Sequence, residues 1–197
     1  MLPRSFYFIR HGQTDWNAAN RIQGATDIPL NDQGREQAVH AAMAVMKQPI
    51  DLIVSSDLSR AMETAMLIQK PLGVPLVVEP RVRERNFGIL EGKTMLEADA
   101  IQAIHDLDTR HPMQRNGKRQ IPGAEHYDAI EARVVEAIQD NLTNHGNKNL
   151  LFVSHGAVFR ILHMALFGEG MGCNNAVLYY FEKTASGWKL HDLSEEA

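Results

Sequence analysis

The chain has 197 residues and a formal net charge of −4, so it lacks the broad basic footprint of a nucleic-acid binder. With 44% apolar and 22% charged residues it has the composition of a globular chain long enough to bury a core, and no apolar run approaches the roughly 20 residues needed to span a bilayer. Its single cysteine, Cys173, excludes an intramolecular disulfide and fits a reducing, cytoplasmic setting, where the thiol is expected to be a buried or half-buried packing group.

Residues 5–9 are aromatic and β-branched, a short buried strand; broken by Arg10, this run is also too short for a signal segment. Residues 32–47 carry Ala38, Ala41, Ala42, Val45 and Met46 at helical spacing, with Asn31 as the N-cap. A strand is expected over 51–55, a helix over 58–70 stopped by Pro71, and a strand over 75–78. Residues 94–107 read as a helix and 108–123 as an irregular, locally basic stretch (Arg110, His111, Arg115, Lys118, Arg119) ending in Pro122-Gly123. A helix follows over 125–143 on Ile130, Val134, Ile138 and Leu142, then a strand over 149–153 and a helix over 157–167 closed by Gly168. Two strands, 176–181 and 188–193, joined by a turn at 185–187, form a terminal hairpin. The alternation of strands and helices predicts one α/β domain with a mostly parallel central sheet and an antiparallel edge. No linker divides 1–197, and a short substrate-side insert is expected at about 92–123.

Three of these strands run directly into polar clusters: Arg10-His11-Gly12-Gln13-Thr14, Ser56 with Arg60 one helical turn on, and Ser154-His155-Gly156. Ligands of open α/β sheets bind beyond the carboxyl ends of the strands. If these ends are neighbours, two histidines and two arginines converge, and the helix starts near Leu58 and after Gly156 add unpaired N–H groups. That combination suits a phosphate-sized anion. Neutral imidazole is a competent nucleophile near pH 7, guanidinium forks match phosphate oxygens, and Glu84, within Arg81-Val82-Arg83-Glu84-Arg85, is a candidate proton donor. Alone, each of these side chains is more often a packing or surface residue; together they point to phosphoryl transfer.

The run Arg10-His11-Gly12-Gln13-Thr14-Asp15-Trp16-Asn17 resembles the signature of the histidine phosphatase (phosphoglycerate-mutase-like) superfamily. Five further blocks resemble that family in the same order. They are Gln23-Gly24 with Asp27, Pro29-Leu30, Gly34 and Gln37-Ala38; Ser55 to Ala61 with Glu63-Thr64-Ala65; Arg83-Glu84 with Phe87-Gly88 and Glu91-Gly92; Pro122-Gly123 with Glu125; and Val153-Ser154-His155-Gly156. The resemblance implies a three-layer α/β/α sandwich and a role for each matching position. His11 would form phosphohistidine. Arg10, Arg60 and His155 would bind the phosphoryl oxygens, assisted by Asn17, Gln23, Gly24 and Gly156. Glu84 would serve as general acid and then base. No metal and no cofactor are implied.

Leu90, Ala124 and His126 depart from the family pattern on the leaving-group side, which leaves the substrate open and makes His126 a candidate substrate contact. The expected activity is hydrolysis of a small-molecule phosphomonoester, with mutase-type transfer on the same site as the alternative. The family's mutases are longer and carry a basic set that grips the substrate carboxylate; here Arg115, Lys118 and Arg119 are spaced differently. A P-loop is excluded at Gly88 to Thr94, because three residues separate the glycines where four are required. Asp106-Leu107-Asp108 lacks the histidine partners of a metal site. No nucleic-acid or membrane partner is expected, and a homodimer is expected on the general frequency of twofold assemblies.

Overall fold

In a computed structural model of the chain, residues 2–107 and 120–194 are described. The basic run Arg110, His111, Arg115, Lys118 and Arg119, and Asp108 of the D-x-D pair, lie outside them.

The elements follow the sequence closely. They are β1 (Phe6–Arg10), α1 (Asp15–Ala18), α2 (Asp32–Met46), β2 (Leu52–Ser55), α3 (Ser59–Leu72), β3 (Leu76–Val78), α4 (Met95–Leu107), α5 (Tyr127–Asn144), β4 (Leu150–Ser154), α6 (Gly156–Phe167), β5 (Leu178–Thr184) and β6 (Gly187–Asp192). Short 3₁₀ turns occupy Pro80–Val82 and Gly88–Leu90. Asn31 caps α2 by accepting from the Gly34 amide at 2.8 Å. Two expectations are corrected. Helix α3 runs through Pro71 to Leu72 and ends at left-handed Gly73; a proline in the last turn forfeits little of the ladder, and the Gly73 amide closes the end on the Gln69 carbonyl. On α2, Met46 is 55% exposed at the helix end, and Ala44 is buried there beside Val45.

The six strands form one sheet in the order β3-β2-β4-β1-β5-β6. The first four are parallel; β5 and β6 run antiparallel. Strands β1, β2 and β4 are buried on both faces, which explains their nearly continuous apolar sequences. Phe6, Phe8, Leu52, Val54, Leu150 and Phe152 face α5 and α6. Tyr7, Ile9, Ile53, Leu151 and Val153 face α2 and α3. The outcome is a three-layer α/β/α sandwich. A smaller apolar cluster of Leu90, Ala98 and Ile121 lies under the segment that leads into α4. Among the described residues no helix is long and apolar enough to cross a membrane.

Two glycines make a close approach that sets the loop after β1. A Cβ on Gly34 would lie 2.0 Å from the Gln13 carbonyl oxygen, and one on Gly12 would lie 2.3 Å from the Gly34 carbonyl oxygen. Only glycine lets the start of α2 pack directly on the chain leaving β1.

Candidate active site

The strand order puts the carboxyl ends of β2, β4 and β1 side by side, and their trailing residues meet around one cavity of about 360 Å³. Arg10 closes β1 and His11 follows it; Arg60 sits in the first turn of α3; Glu84 lies beyond β3 and the first 3₁₀ turn. Arg10, His11, Asn17, Gln23, Gly24, Arg60 and Glu84 all line the cavity. His155, the N-cap of α6, stands behind it, with its ring centroid 5.2 Å from that of His11.

His11 is 1% exposed and its Nδ1 is 2.7 Å from the Gly12 carbonyl oxygen. A carbonyl only accepts, so Nδ1 carries the hydrogen and Nε2 keeps its lone pair. Burial, reinforced by the Arg60 and Arg10 charges, holds the His11 pKa well below its ordinary value, so the ring is neutral at pH 7. The same causes, burial first and Arg60 next, hold His155 low. His155 Nε2 meets the Ser56 hydroxyl at 2.8 Å, and Ser154, buried beside it, donates to the Val82 carbonyl at 2.7 Å.

Arg60 is fully buried. Its two terminal nitrogens donate to the Gly24 and Thr26 carbonyls at 2.8 and 2.9 Å, which ties α3 to the loop after α1. Gly24 holds that loop at φ +59, where a Cβ would collide with the Glu91 carboxylate. Arg10 donates to the Cys173 carbonyl at 3.0 Å. Arg10 Nε, Arg60 Nε, His155 Nδ1 and the Gln23 amide oxygen are buried without hydrogen-bond partners among the described residues. Buried guanidinium N–H groups left unpaired are costly, and a bound oxyanion removes that cost. Asn17 closes a capping box on α1: its Oδ1 accepts from the Thr14 amide and hydroxyl, both at 3.1 Å. The donor end of its amide is therefore what it can offer the cavity.

The Glu84 carboxylate accepts from the Ala157 amide, 3.2 Å from each oxygen, and from the Arg85 amide at 2.8 Å. It thus occupies the positive end of α6. This corrects the expectation of open helix N-termini. The first amide of α3, Ser59, is likewise taken by the Asp27 carboxylate at 2.9 Å. In both places a carboxylate takes a helix-end amide, and the arginine N–H groups not given to carbonyls, Nε of Arg10 and of Arg60 among them, are left to hold an anion. Gly156 does not line the cavity, and a Cβ there would meet the Arg10 guanidinium at 3.5 Å, an ordinary van der Waals contact, so the position does not require glycine. His126 is the N-cap of α5, its Nδ1 accepting from the Asp128 amide at 3.3 Å, and it does not reach the cavity. Cys173 is half-buried, and burial pushes its thiol pKa up to about 12.

Three supports were given no role by the sequence reading. Arg133 donates to the carbonyls of Arg81, Arg83 and Glu84 and pairs with Glu125, which fixes the backbone that carries Glu84. Glu91 gathers the amides of Ala25, Thr26 and Phe87 into one joint between the Gly24 loop and the Glu84 loop. Asn175 lines the cavity and donates to the His11 carbonyl at 2.8 Å, while the next amide, on left-handed Ala176, donates to the Arg10 carbonyl at 2.9 Å. Arg133 carried only a surface-type signal in sequence, Glu91 stood in a family block without a role, and Asn175 reaches His11 across 164 positions.

Comparison with known proteins agrees with this geometry. The family model described as histidine phosphatase superfamily (branch 1) matches residues 6–195. A probable phosphoglycerate mutase of Yersinia pestis is 32% identical over 97% of this chain and 93% of its own length. A solved mycobacterial glucosyl-3-phosphoglycerate phosphatase superposes with a TM-score of 0.77 at 27% identity, covering 96% of both chains. A structure titled mycobacterial hydrolase 1 superposes with a TM-score of 0.79 at 30% identity, covering 95% of this chain and 96% of its own.

Proposed function

Because the chain belongs to branch 1 of the histidine phosphatase superfamily, a family of phosphoryl-transfer enzymes, we propose that it hydrolyses small-molecule phosphomonoesters through a phosphohistidine on His11. The observation that carries this reading is the Nδ1–H of His11 pinned on the Gly12 carbonyl, which presents Nε2 as a neutral nucleophile between two arginines.

In the first step the Nε2 lone pair attacks phosphorus and the ester P–O bond breaks. The leaving alkoxide takes its proton from the Glu84 carboxyl. Arg10, Arg60 and His155 bear the charge on the equatorial oxygens, assisted by Asn17, Gln23 and Gly24, so no metal or cofactor is required. In the second step water attacks phosphorus, Glu84 takes its proton, the P–N bond breaks, and neutral His11 and inorganic phosphate are regenerated. The single cysteine fits a cytoplasmic setting for this chemistry.

The second reading, mutase-type transfer, is favoured by the name of the Yersinia relative. Both are tested by one panel of phosphomonoesters assayed with a chelator present and with His11→Ala as control. Release of phosphate that depends on His11, together with an acid-labile phosphoenzyme in rapid quench, is the expected result. Interconversion of 2- and 3-phosphoglycerate without release would replace hydrolysis by the mutase reaction, and activity in His11→Ala near that of the wild type would end the covalent mechanism.

A further inference from the structure

Resting on the phosphatase reading, we propose that the open side of the cavity receives a leaving group with an apolar body, so that this enzyme takes monoesters of hydrophobic alcohols or phenols in preference to esters carrying further negative charge. Beyond the phosphoryl cradle the cavity wall is formed by Asn20, Arg21, Ile22, Phe87 and Met95. Three of these five are apolar.

The wall is built rather than incidental. The Ile22 amide donates to the Lys93 carbonyl and the Gly92 amide to the Ile22 carbonyl, both at 2.8 Å, and Arg21 bridges Thr94 in antiparallel fashion. The Met95 amide adds a bond to the Asn20 carbonyl at 3.3 Å, at the point where Asn20 takes the left-handed conformation. Asparagine is one of the few non-glycine residues that adopt this conformation readily, so the turn is held at little cost. Ile22 and Phe87 pack from above onto the small buried cluster of Leu90, Ala98 and Ile121. The apolar wall is thus the outer surface of an apolar layer. Met95 remains 55% exposed over it, and its unbranched thioether adapts to varied apolar partners.

The same wall offers a second anion little in exchange for its hydration. Among the described residues lining it, Arg21 is the one cation outside the cradle, and its Nη1 already donates to the Gly92 carbonyl at 2.7 Å. A carboxylate or second phosphate on the leaving group would exchange water for one half-committed cation. An alkyl or aryl body would lose only apolar hydration.

The test is kcat/KM for ethyl, butyl and hexyl phosphate, whose leaving groups are chemically alike, alongside 3-phosphoglycerate and 4-nitrophenyl phosphate. Each added methylene is expected to raise kcat/KM about two- to fourfold until the wall is covered. 3-Phosphoglycerate is expected to fall below butyl phosphate. Phe87→Ala and Met95→Ser, made singly so that one misfolded variant does not decide the matter, should each compress the hexyl-to-ethyl ratio. Phosphate release with no chain-length dependence, a preference for 3-phosphoglycerate, or an uncompressed ratio in both variants would overturn this assignment and leave the phosphatase reading standing. No release from any ester, 4-nitrophenyl phosphate included, would overturn both.

Discussion

Two neutral histidines buried among arginines should make the stability of this protein fall as the pH drops through the ordinary histidine range. His11 and His155 are 1% and 0% exposed, and burial followed by the Arg60 charge holds both well below their usual pKa. In the unfolded chain each takes up a proton near pH 6.5; in the folded chain neither does so until the pH is much lower. The unfolded state therefore binds more protons across this window, so stability is present above it and is lost as the pH falls. Between pH 7.5 and 5.5, a histidine that stays neutral only when folded costs about 1.4 kcal/mol, and the pair about 2.7 kcal/mol. Against a total of roughly 5–15 kcal/mol that is easily measured. Urea unfolding in phosphate-free buffer at the two pH values, followed by tryptophan fluorescence, gives the loss for the wild type. His11→Gln and His155→Gln should each reduce that loss by about 1.4 kcal/mol, because titrations common to all variants cancel in the difference. An unchanged pH-dependent loss in the double variant would refute the reasoning.

Three further outcomes follow from the site and its supports. Glu84→Gln should slow single-turnover phosphorylation by about 10²- to 10⁴-fold for alkyl esters and far less for 4-nitrophenyl phosphate, whose leaving group needs no proton; equal losses would remove Glu84 as the acid. Asn175→Ala frees the carbonyl of His11 and should lower kcat roughly tenfold or more while KM changes little, since the residue positions the nucleophile; a rise in KM alone would make Asn175 a substrate ligand instead. Gly34→Ala forces a Cβ to within 2.0 Å of the Gln13 carbonyl oxygen and should cost at least about 3 kcal/mol in urea unfolding, whereas a loss under 1 kcal/mol would mean the two loops can separate freely.

Much of this architecture was legible in the chain. The strands at 6–10, 52–55 and 150–154 are apolar runs because both faces are covered, and such runs end abruptly where the polar clusters begin. His11, Arg60 and Glu84 were named from those endings and from the family blocks, and the fold brings them around one cavity. The boundary at Pro71 and the exposure of Met46 were misread because helix ends are decided by capping and by the neighbouring layer, which local periodicity does not encode. Short α1 was missed because a single turn has no period to detect; its capping box with Asn17 holds it.

The sequence by itself determined the strand–helix alternation and the mostly parallel sheet, which follow from apolar periodicity, while the layer order and the candidate reactive side chains came from the family blocks at the strand ends. Only the tertiary structure decided how those side chains are poised. The free Nε2 of His11 depends on a carbonyl in the adjacent peptide taking up one conformation, and its neutrality depends on burial beside guanidinium groups from two elements. Glu84 sits where it does because the positive end of α6, 73 positions away, holds its carboxylate, while Arg133 grips its backbone. Such contacts join residues distant in the chain through geometry and electrostatics that exist only once the sheet has paired, and so no local pattern of residues could announce them.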